Sequence, residues 1–540
     1  MNLNQTLILG DLSGLQDYLF DVAAEGGGQA RRLRARSLSI SLLAECAARR
    51  ILDSVGWTRR ELVFSSAGKF LLAGPCLKGA STVTAKTEVD KATRWLLTET
   101  CGGLRLAVIF CDSTPGALPI AVFGRAQQML QREKMRPWAG CATASGRWQT
   151  DTLILPAISP ACELCRRRSA QQTFSDDGID RKICQRCSGD WRLGRDLPTA
   201  RWLELHAVPG EEAFDLLGFG LRASAADGLS PEALQAFPVG SQSASGDSRI
   251  VPRPLARHIP QDKGGRPIEF KELATYSDGA PLLGILKMDA DNLGLAFRKV
   301  LNNTTDLLPL TQFSRRLDDF FATKVNNMMN QSPWDLLYVV FSGGDDLLLI
   351  GPWNIAFSFA SQVQREFTRE FSKDGLTLSA GLAVIKPVFP IRNAVEQADA
   401  LLERAKSECA PGTETAKDQF AAFGQVWKWH EHETVSHSAK KLIRWVQDDK
   451  VMPRGWLHTF LDLAETRIRP EAGPVTARLA YHIGRNLPSR HAEGAKGELR
   501  QWAEAVLADF DAGVRPETRL LPAILRYALT ATRSPAKDES

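Results

Sequence analysis

One stretch of the chain occurs twice, and this repeat limits the fold more than any other feature. VFSSAGKFLLAG (63–74) aligns without a gap on VFSGGDDLLLIG (340–351). Each copy runs apolar with β-branched and aromatic residues, turns, and runs apolar again, as a hairpin of buried strands does. In the second copy Gly343 and Gly344 mark the turn, where a tight hairpin needs positive φ. The surroundings recur too. The first half predicts a strand over 6–11, a helix over 36–52, the hairpin over 61–73, a helix over 84–98, a strand over 104–111 and a helix over 118–133. The second half predicts a strand over 282–289, a helix over 308–328, the hairpin, a helix over 355–371, a strand over 376–385 and a helix over 391–407. The order β-α-β-β-α-β-α is that of the ferredoxin-like core, whose first and third strands are central. An α+β protein with two such domains is expected. The central pair of the second sheet is expected to be the 282–289 strand and the front half of the hairpin.

The two copies differ where chemistry would sit. Asp345 and Asp346 of the second stand where the first has Gly68 and Lys69. Tandem carboxylates repel each other and gain little from clustering unless a cation shares them. The strand LLGILKMDADNLG (282–294) ends in Asp289, Asp291 and Asn292. If it lies beside the hairpin, Asp289, Asp345 and Asp346 meet at one sheet edge. Such a set suits two magnesium ions about 3.5–4 Å apart in phosphoryl transfer. Asp11 aligns with Asp289 but faces a lysine, so the first copy is expected to have kept the shape and lost the metal. Capping the next helix is the plainer role for Asp11.

Ten cysteines are present, and four are organised. Cys162 and Cys165 form one C-x-x-C and Cys184 and Cys187 another, a spacing suited to a tetrahedral four-thiolate zinc site. A redox C-x-x-C fits less well, because no strand is read from the sequence before either pair in this polar, Arg-rich insert. Four sulfurs fill the coordination sphere, so the zinc is expected to be structural. The net charge is only +5, so bulk charge does not announce a nucleic-acid partner. The local cluster Arg31, Arg32, Arg34 and Arg36 is the candidate for phosphate contacts. Residues 238–267 are rich in Gly, Ser and Pro and read as a linker. Beyond 425, apolar residues recur at three and four, as in the amphipathic helices of a bundle. The histidines there invite a metal reading that is set aside, because HEHE (430–433) lies on a polar stretch and the others are isolated on helices. With no run of about 18 apolar residues and no secretory start, a cytoplasmic protein without a membrane partner is expected.

DADNLG, SGGDD and LSAGLAVIKPVFPIRNAVEQADALLERAK together resemble the second palm domain of the large subunit of type III CRISPR effector complexes. More distantly, they resemble the GGDEF diguanylate cyclases. GDLSGLQDYLF (10–20) and RRLRARSLSISLL (31–43) resemble that subunit's first palm. The resemblance implies a degenerate first palm over 1–150, a zinc-binding linker over 151–275, a GGDD palm over 276–425 and a helical domain over 426–540. It implies ATP as substrate, cyclic oligoadenylates as product, and CRISPR RNA, target RNA and the small and backbone effector subunits as partners. Asp289, Asp345 and Asp346 would be catalytic. Ser13, Gly14, Asp291, Asn292, Ser342, Gly343, Gly344 and Lys406 would contact nucleotide. Many family members also carry a His-Asp nuclease motif. No His-Asp dipeptide occurs here, so nuclease activity is not expected. A stand-alone diguanylate cyclase is the alternative, but GGDDLL and two unlike palms depart from that pattern. A non-catalytic scaffold is the other, and the intact acids argue against it.

Overall fold

The computed structural model describes residues 5–533 apart from 21–28, 67, 114–116, 143–145, 149–157, 177–178, 211–212, 240–245, 252–257, 303, 305, 468–473, 488 and 490–491. The expected tail 534–540 and parts of the expected linker lie outside the described residues.

The repeat is a repeat of topology. In the first half β1 (Gln5–Ser13), α1 (Leu15–Phe20), α2 (Gln29–Val55), β2 (Leu62–Ser66), β3 (Lys69–Pro75), α3 (Ala80–Glu99), β4 (Arg105–Asp112) and α4 (Pro119–Lys134) build a sheet of order β2-β3-β1-β4. The middle of the chain, which carries the cysteines, follows. It comprises the hairpin β5 (Gln172–Asp176) and β6 (Ile179–Ile183), helix α5 (Gln185–Asp196), and a four-stranded sheet of β7 (Trp202–His206), β8 (Phe214–Leu216), β9 (Phe219–Ser224) and β10 (Ala233–Pro238). The second half repeats the first with β11 (Leu283–Asp291), α6 (Leu293–Leu301), α7 (Leu308–Asp318), β12 (Tyr338–Gly343), β13 (Asp346–Pro352), α8 (Trp353–Phe371), β14 (Thr377–Ile385) and α9 (Ile391–Ser407). Its order, β12-β13-β11-β14, matches, and both hairpins carry an irregularity at the same aligned place, Val63 and Val340. The expectation for the central pair is corrected in one respect. The back half of the hairpin, β13, lies beside β11, and the front half is the edge. The third strand of this topology is the one that returns from the turn.

Two features were not read from the sequence. A hairpin of β15 (Gln419–Ala422) and β16 (Gln425–Lys428) extends the second sheet beyond β14, so the expected boundary at 425/426 falls inside a strand. Among the described residues, the five long helices beyond residue 431 share one apolar core with the outer face of that sheet and with α8, through Trp353, Phe357, Trp445 and Tyr527. The two palms pack reciprocally. Helix α2 lies on the inner face of the second sheet, where Ser37 Oγ donates to the Val340 carbonyl and Tyr338 OH donates to the Ala30 carbonyl at 3.0 Å. Leu301, Leu307 and Leu310 of the second half cover Leu7, Leu9 and Leu71 of the first sheet.

Candidate active site at the second palm hairpin

Strand register builds the site. Asp289, near the end of β11, stands directly opposite Asp346, the first residue of β13. Gly343 closes the hairpin opposite Asp346, which leaves Gly344 and Asp345 as the two-residue turn. Gly344 has φ +68°, the left-handed conformation that such a turn demands of its first residue and that glycine adopts without strain. The Asp345 carbonyl accepts the Ala290 N–H at 2.9 Å, which ties the turn to β11.

Like charges directly opposite on a sheet destabilise it. Burial and the neighbouring Asp345 push the Asp289 carboxyl up to about 6, against the pull of the Lys406 ammonium 2.5 Å away. Burial, then Asp345 and Asp289, raise Asp346 well above the usual carboxylate range, and its Oδ1 is buried with no hydrogen-bond partner. The three carboxylates are close enough to perturb one another. Even so, their oxygens do not come within 4.8 Å as a set, which among the described residues only the four cysteines do. An orphaned buried carboxylate oxygen and an all-oxygen donor set still suit a hard divalent cation.

The other expected nucleotide contacts separate into two groups. Lys406 and Gly343 are at the site: the lysine pairs with Asp289, and a side chain at Gly343 would meet only open space. Asp291 is committed to the fold, accepting from Thr377 Oγ1 at 2.9 Å, Ser379 Oγ at 2.8 Å and the Asp418 N–H at 3.1 Å. Asn292, at φ +63°, accepts from Lys417 Nζ at 2.8 Å, and Ser342 Oγ donates to the Phe321 carbonyl at 2.6 Å. In the first palm Ser13 ends β1 opposite Arg105. Gly14, at φ +82°, is pressed against the Gly103 carbonyl, which a Cβ would strike. That contact alone explains the glycine. Among the described residues Asp11 makes no helix-capping hydrogen bond. It is buried, stands opposite Lys69, and pairs with Lys134 at 2.5 Å at the end of α4, as Asp289 pairs with Lys406 at the end of α9.

Two groups at the site were not foreseen. Asp318, at the end of α7 where the helix widens into a π-helical turn over Asp319–Lys324, accepts the Gly344 N–H at 3.1 Å and the hydroxyl of Ser66. It thus ties the turn of the acidic hairpin to the corresponding hairpin of the first palm. Lys287, two residues before Asp289, pairs with Asp399 of α9, and Gln16 of the first palm, with its amide oriented to satisfy both, joins them. No local signal marks either group, because their partners lie in distant parts of the chain.

The cysteine site is closed. The four sulfurs lie within 4.8 Å of one another, and Cys165 and Cys184 are 3.8 Å apart, the edge of a tetrahedron with Zn–S bonds of about 2.3 Å. Such a set could hold a metal such as zinc. Three of the four clustered arginines belong here and not to phosphate contacts, and the fourth, Arg31, lies with its guanidinium 5.7 Å from the centre of the Trp191 ring. Arg32, Arg34 and Arg36 are buried, reaching Cys187 Sγ at 3.8 Å, the Gly194 carbonyl at 2.7 Å and Asp190 Oδ2 at 2.9 Å. They fasten α5 to α2. Of the C-terminal histidines, His432 is buried against Phe357, and burial lowers its pKa to about 3. No described helix is long and apolar enough to cross a membrane.

The fold and the site define a twin-palm protein, one palm carrying the acidic hairpin and the other lacking its Asp pair. Residues 282–421 match the family described as Cas10/Cmr2, second palm domain, and residues 4–145 match Csm1 subunit domain B. Among curated relatives, the CRISPR system single-strand-specific deoxyribonuclease Cas10/Csm1 (subtype III-A) of Thermococcus onnurineus is 26% identical over 74% of this chain and 54% of its own length. Its Streptococcus thermophilus counterpart is 24% identical over 88% of this chain and 61% of its own length. The chain thus spans little more than half the length of these relatives. The solved Csm1–Csm4 cassette in complex with cA4 superposes with a TM-score of 0.72 at 20% identity, covering 98% of this chain and 70% of that one. A Csm1–Csm4 cassette in complex with one ATP superposes at 0.70 with the same identity and coverage.

Proposed function

We propose that the chain is the large subunit of a type III CRISPR RNA-guided effector complex, and that its second palm converts ATP to cyclic oligoadenylates when target RNA is bound. CRISPR RNA and the small and backbone subunits would be its partners. The observation that carries the reading is the convergence of Asp289, Asp345 and Asp346 at the end of β11 and the turn of β12–β13, with Asp346 Oδ1 unpartnered. Relatives solved with ATP and with cA4 support the choice of substrate and product.

In the reaction, the 3′-hydroxyl of one ATP attacks the α-phosphorus of another. The new O–P bond forms as the bond to pyrophosphate breaks, and the hydroxyl proton is released. Asp289, Asp345 and Asp346 would hold two magnesium ions, which when bound supply Lewis-acid activation of the hydroxyl and neutralise charge at the phosphate. Lys406 favours the ionised form of Asp289. Gly343, with open space beside it, leaves room for phosphate against the backbone. Asp318 and Ser66 hold the turn that carries Asp345. The test is incubation of the purified protein, with its complex, with ATP and magnesium, and separation of the products. Asp345→Ala with Asp346→Ala should abolish the oligoadenylates, and equal product from both proteins would refute the reading.

A further inference from the structure

The second sheet has an open edge at the end remote from the acids. Strand β14 runs from Thr377, opposite Asp291, to Ile385, opposite Leu283, and β15 pairs with it only at Ala380 and Gly381. The Ala290 N–H is spent on the Asp345 carbonyl, on the β13 side, so Asp289, Lys287 and Ile285 turn their backbone groups to Ser379, Gly381 and Ala383 of β14. The intervening residues of β14 point the other way, as the Leu378 carbonyl does toward Trp429 Nε1 at 2.7 Å. Val384 is one of these, and its outward N–H and carbonyl have no strand partner among the described residues. They meet a hollow of about 850 Å³ between β14, α9, the β15–β16 turn and the helices Arg454–Arg467 and Leu521–Ala531. Leu382, Leu401, Phe423, Leu461 and Leu529 give it apolar walls. Lys386, Arg454, Arg526 and Arg533 also line it, and no Asp or Glu does among the described residues. Arg526 shares its charge with Glu465 at 2.6 Å, and Arg454 donates to the Leu529 carbonyl at 3.0 Å. Lys386 and Arg533 are exposed and unpaired among the described residues.

We propose that this groove binds an extended acidic peptide segment of a partner protein, which adds as a strand to the outer edge of β14. An open strand edge is a template for another chain, because its main-chain groups are already ordered and lack partners. A strand laid in line with β15 would sit about 4.8 Å from β14 and take up the Val384 N–H and carbonyl. Its side chains would alternate between two faces. One face meets α9, where Leu401 offers apolar contact, and the other meets the side that carries Arg454, Arg526 and Arg533. The excess of cations over carboxylates there selects acidic residues. The pattern that fits is therefore acidic and β-branched residues in alternation. Val384 lies about 17 Å along β14 from Ser379, which stands opposite Asp289, so the groove is separate from the palm chemistry.

The experiment uses the full chain and a fluorescent octapeptide of alternating Glu and Val, with binding read by anisotropy. Lys386→Glu with Arg533→Glu should weaken binding roughly tenfold or more. An octapeptide of alternating Lys and Val, inert toward the parent, should bind this reversed variant. Val384→Pro removes the outward donor without touching the β11 ladder and should also weaken binding. A Glu-Val peptide with N-methylated backbone amides should bind the parent poorly, since the ladder uses those N–H groups. Circular dichroism of the variants should match the parent, and Asp345→Ala should bind the peptide like the parent. An oligoribonucleotide of equal charge should not displace the peptide, and removal of residues 534–540 should leave its affinity unchanged. Unchanged affinity in the charge-reversed variant would overturn the groove, and full binding of the N-methylated peptide would overturn strand addition. Displacement by the oligoribonucleotide would overturn the choice of a peptide, and a large gain on removal of 534–540 would assign the groove to that segment of this chain instead.

Discussion

Asp346→Asn should make the metal-free protein more stable while abolishing its chemistry. Asp289 shifts from 3.8 to about 6 in the fold, which corresponds to roughly 3 kcal/mol of stability given up when it ionises. The sign follows from the protons bound. Between pH 3.8 and about 6 the folded chain keeps a proton that the unfolded chain has released. Stability is therefore highest below this window, falls as pH rises through it, and is level with respect to this group above. Asp346 is raised in the same direction and adds a penalty of its own. Asparagine keeps the shape, removes one buried charge opposite Asp289, and spares the Asp289–Lys406 pair. A gain of about 1–3 kcal/mol at pH 8 is expected, fading as pH falls through 6 toward 4. The assay is urea denaturation in a chelator at pH 4, 6 and 8, comparing parent and variant. Magnesium should then stabilise the parent more than the variant, because the cation relieves the repulsion that the substitution removes. A variant no more stable than the parent at pH 8, or equally stabilised at pH 4 and pH 8, would refute the account of the cluster as strained and cation-seeking.

Two further outcomes follow from the structure. Asp318→Ala strips the acceptor from Gly344 N–H and Ser66 Oγ and should cost about 1–3 kcal/mol of stability and raise the magnesium needed for half-maximal activity. Asp318→Asn, which retains an acceptor oxygen, should restore most of the loss, and an unshifted magnesium titration in the alanine variant would rule out the positioning role. The cysteine module should contain about one zinc per chain and loosen when it is removed, because its own apolar core is little more than Leu164, Ile183 and Trp191 around the cysteines. Limited proteolysis should then cut faster between residues 158 and 196 in the chelated protein, and a fully resistant metal-free module would show that the fold stands without it.

What the chain declares locally, it declares well. Hydrophobic period and turn residues act within a window of ten to twenty residues, so both hairpins, the long helices and the β-α-β-β-α-β order could be read directly. Because the copies align without a gap, the replacement of Asp345 and Asp346 by Gly68 and Lys69 was visible too, and the cysteine spacing marked its own site. The fate of each charged side chain was not legible, because its partner is chosen by tertiary approach. Arg32, Arg34 and Arg36 looked like a basic surface until α5, more than 150 residues later, met them with a thiol, a carbonyl and a carboxylate. Asp291, two residues from Asp289 on the same strand, has its carboxylate taken up by β14 and residue 418. Asp318 carried no motif and became the link between the two hairpins. The sequence alone determined two palms, one of them acidic, and a four-thiolate module. Which acids stand free for a cation and which serve the fold was decided only when strands distant in the chain came into register, since the burial and hydrogen bonds that set a carboxylate's chemistry come from residues no local window contains.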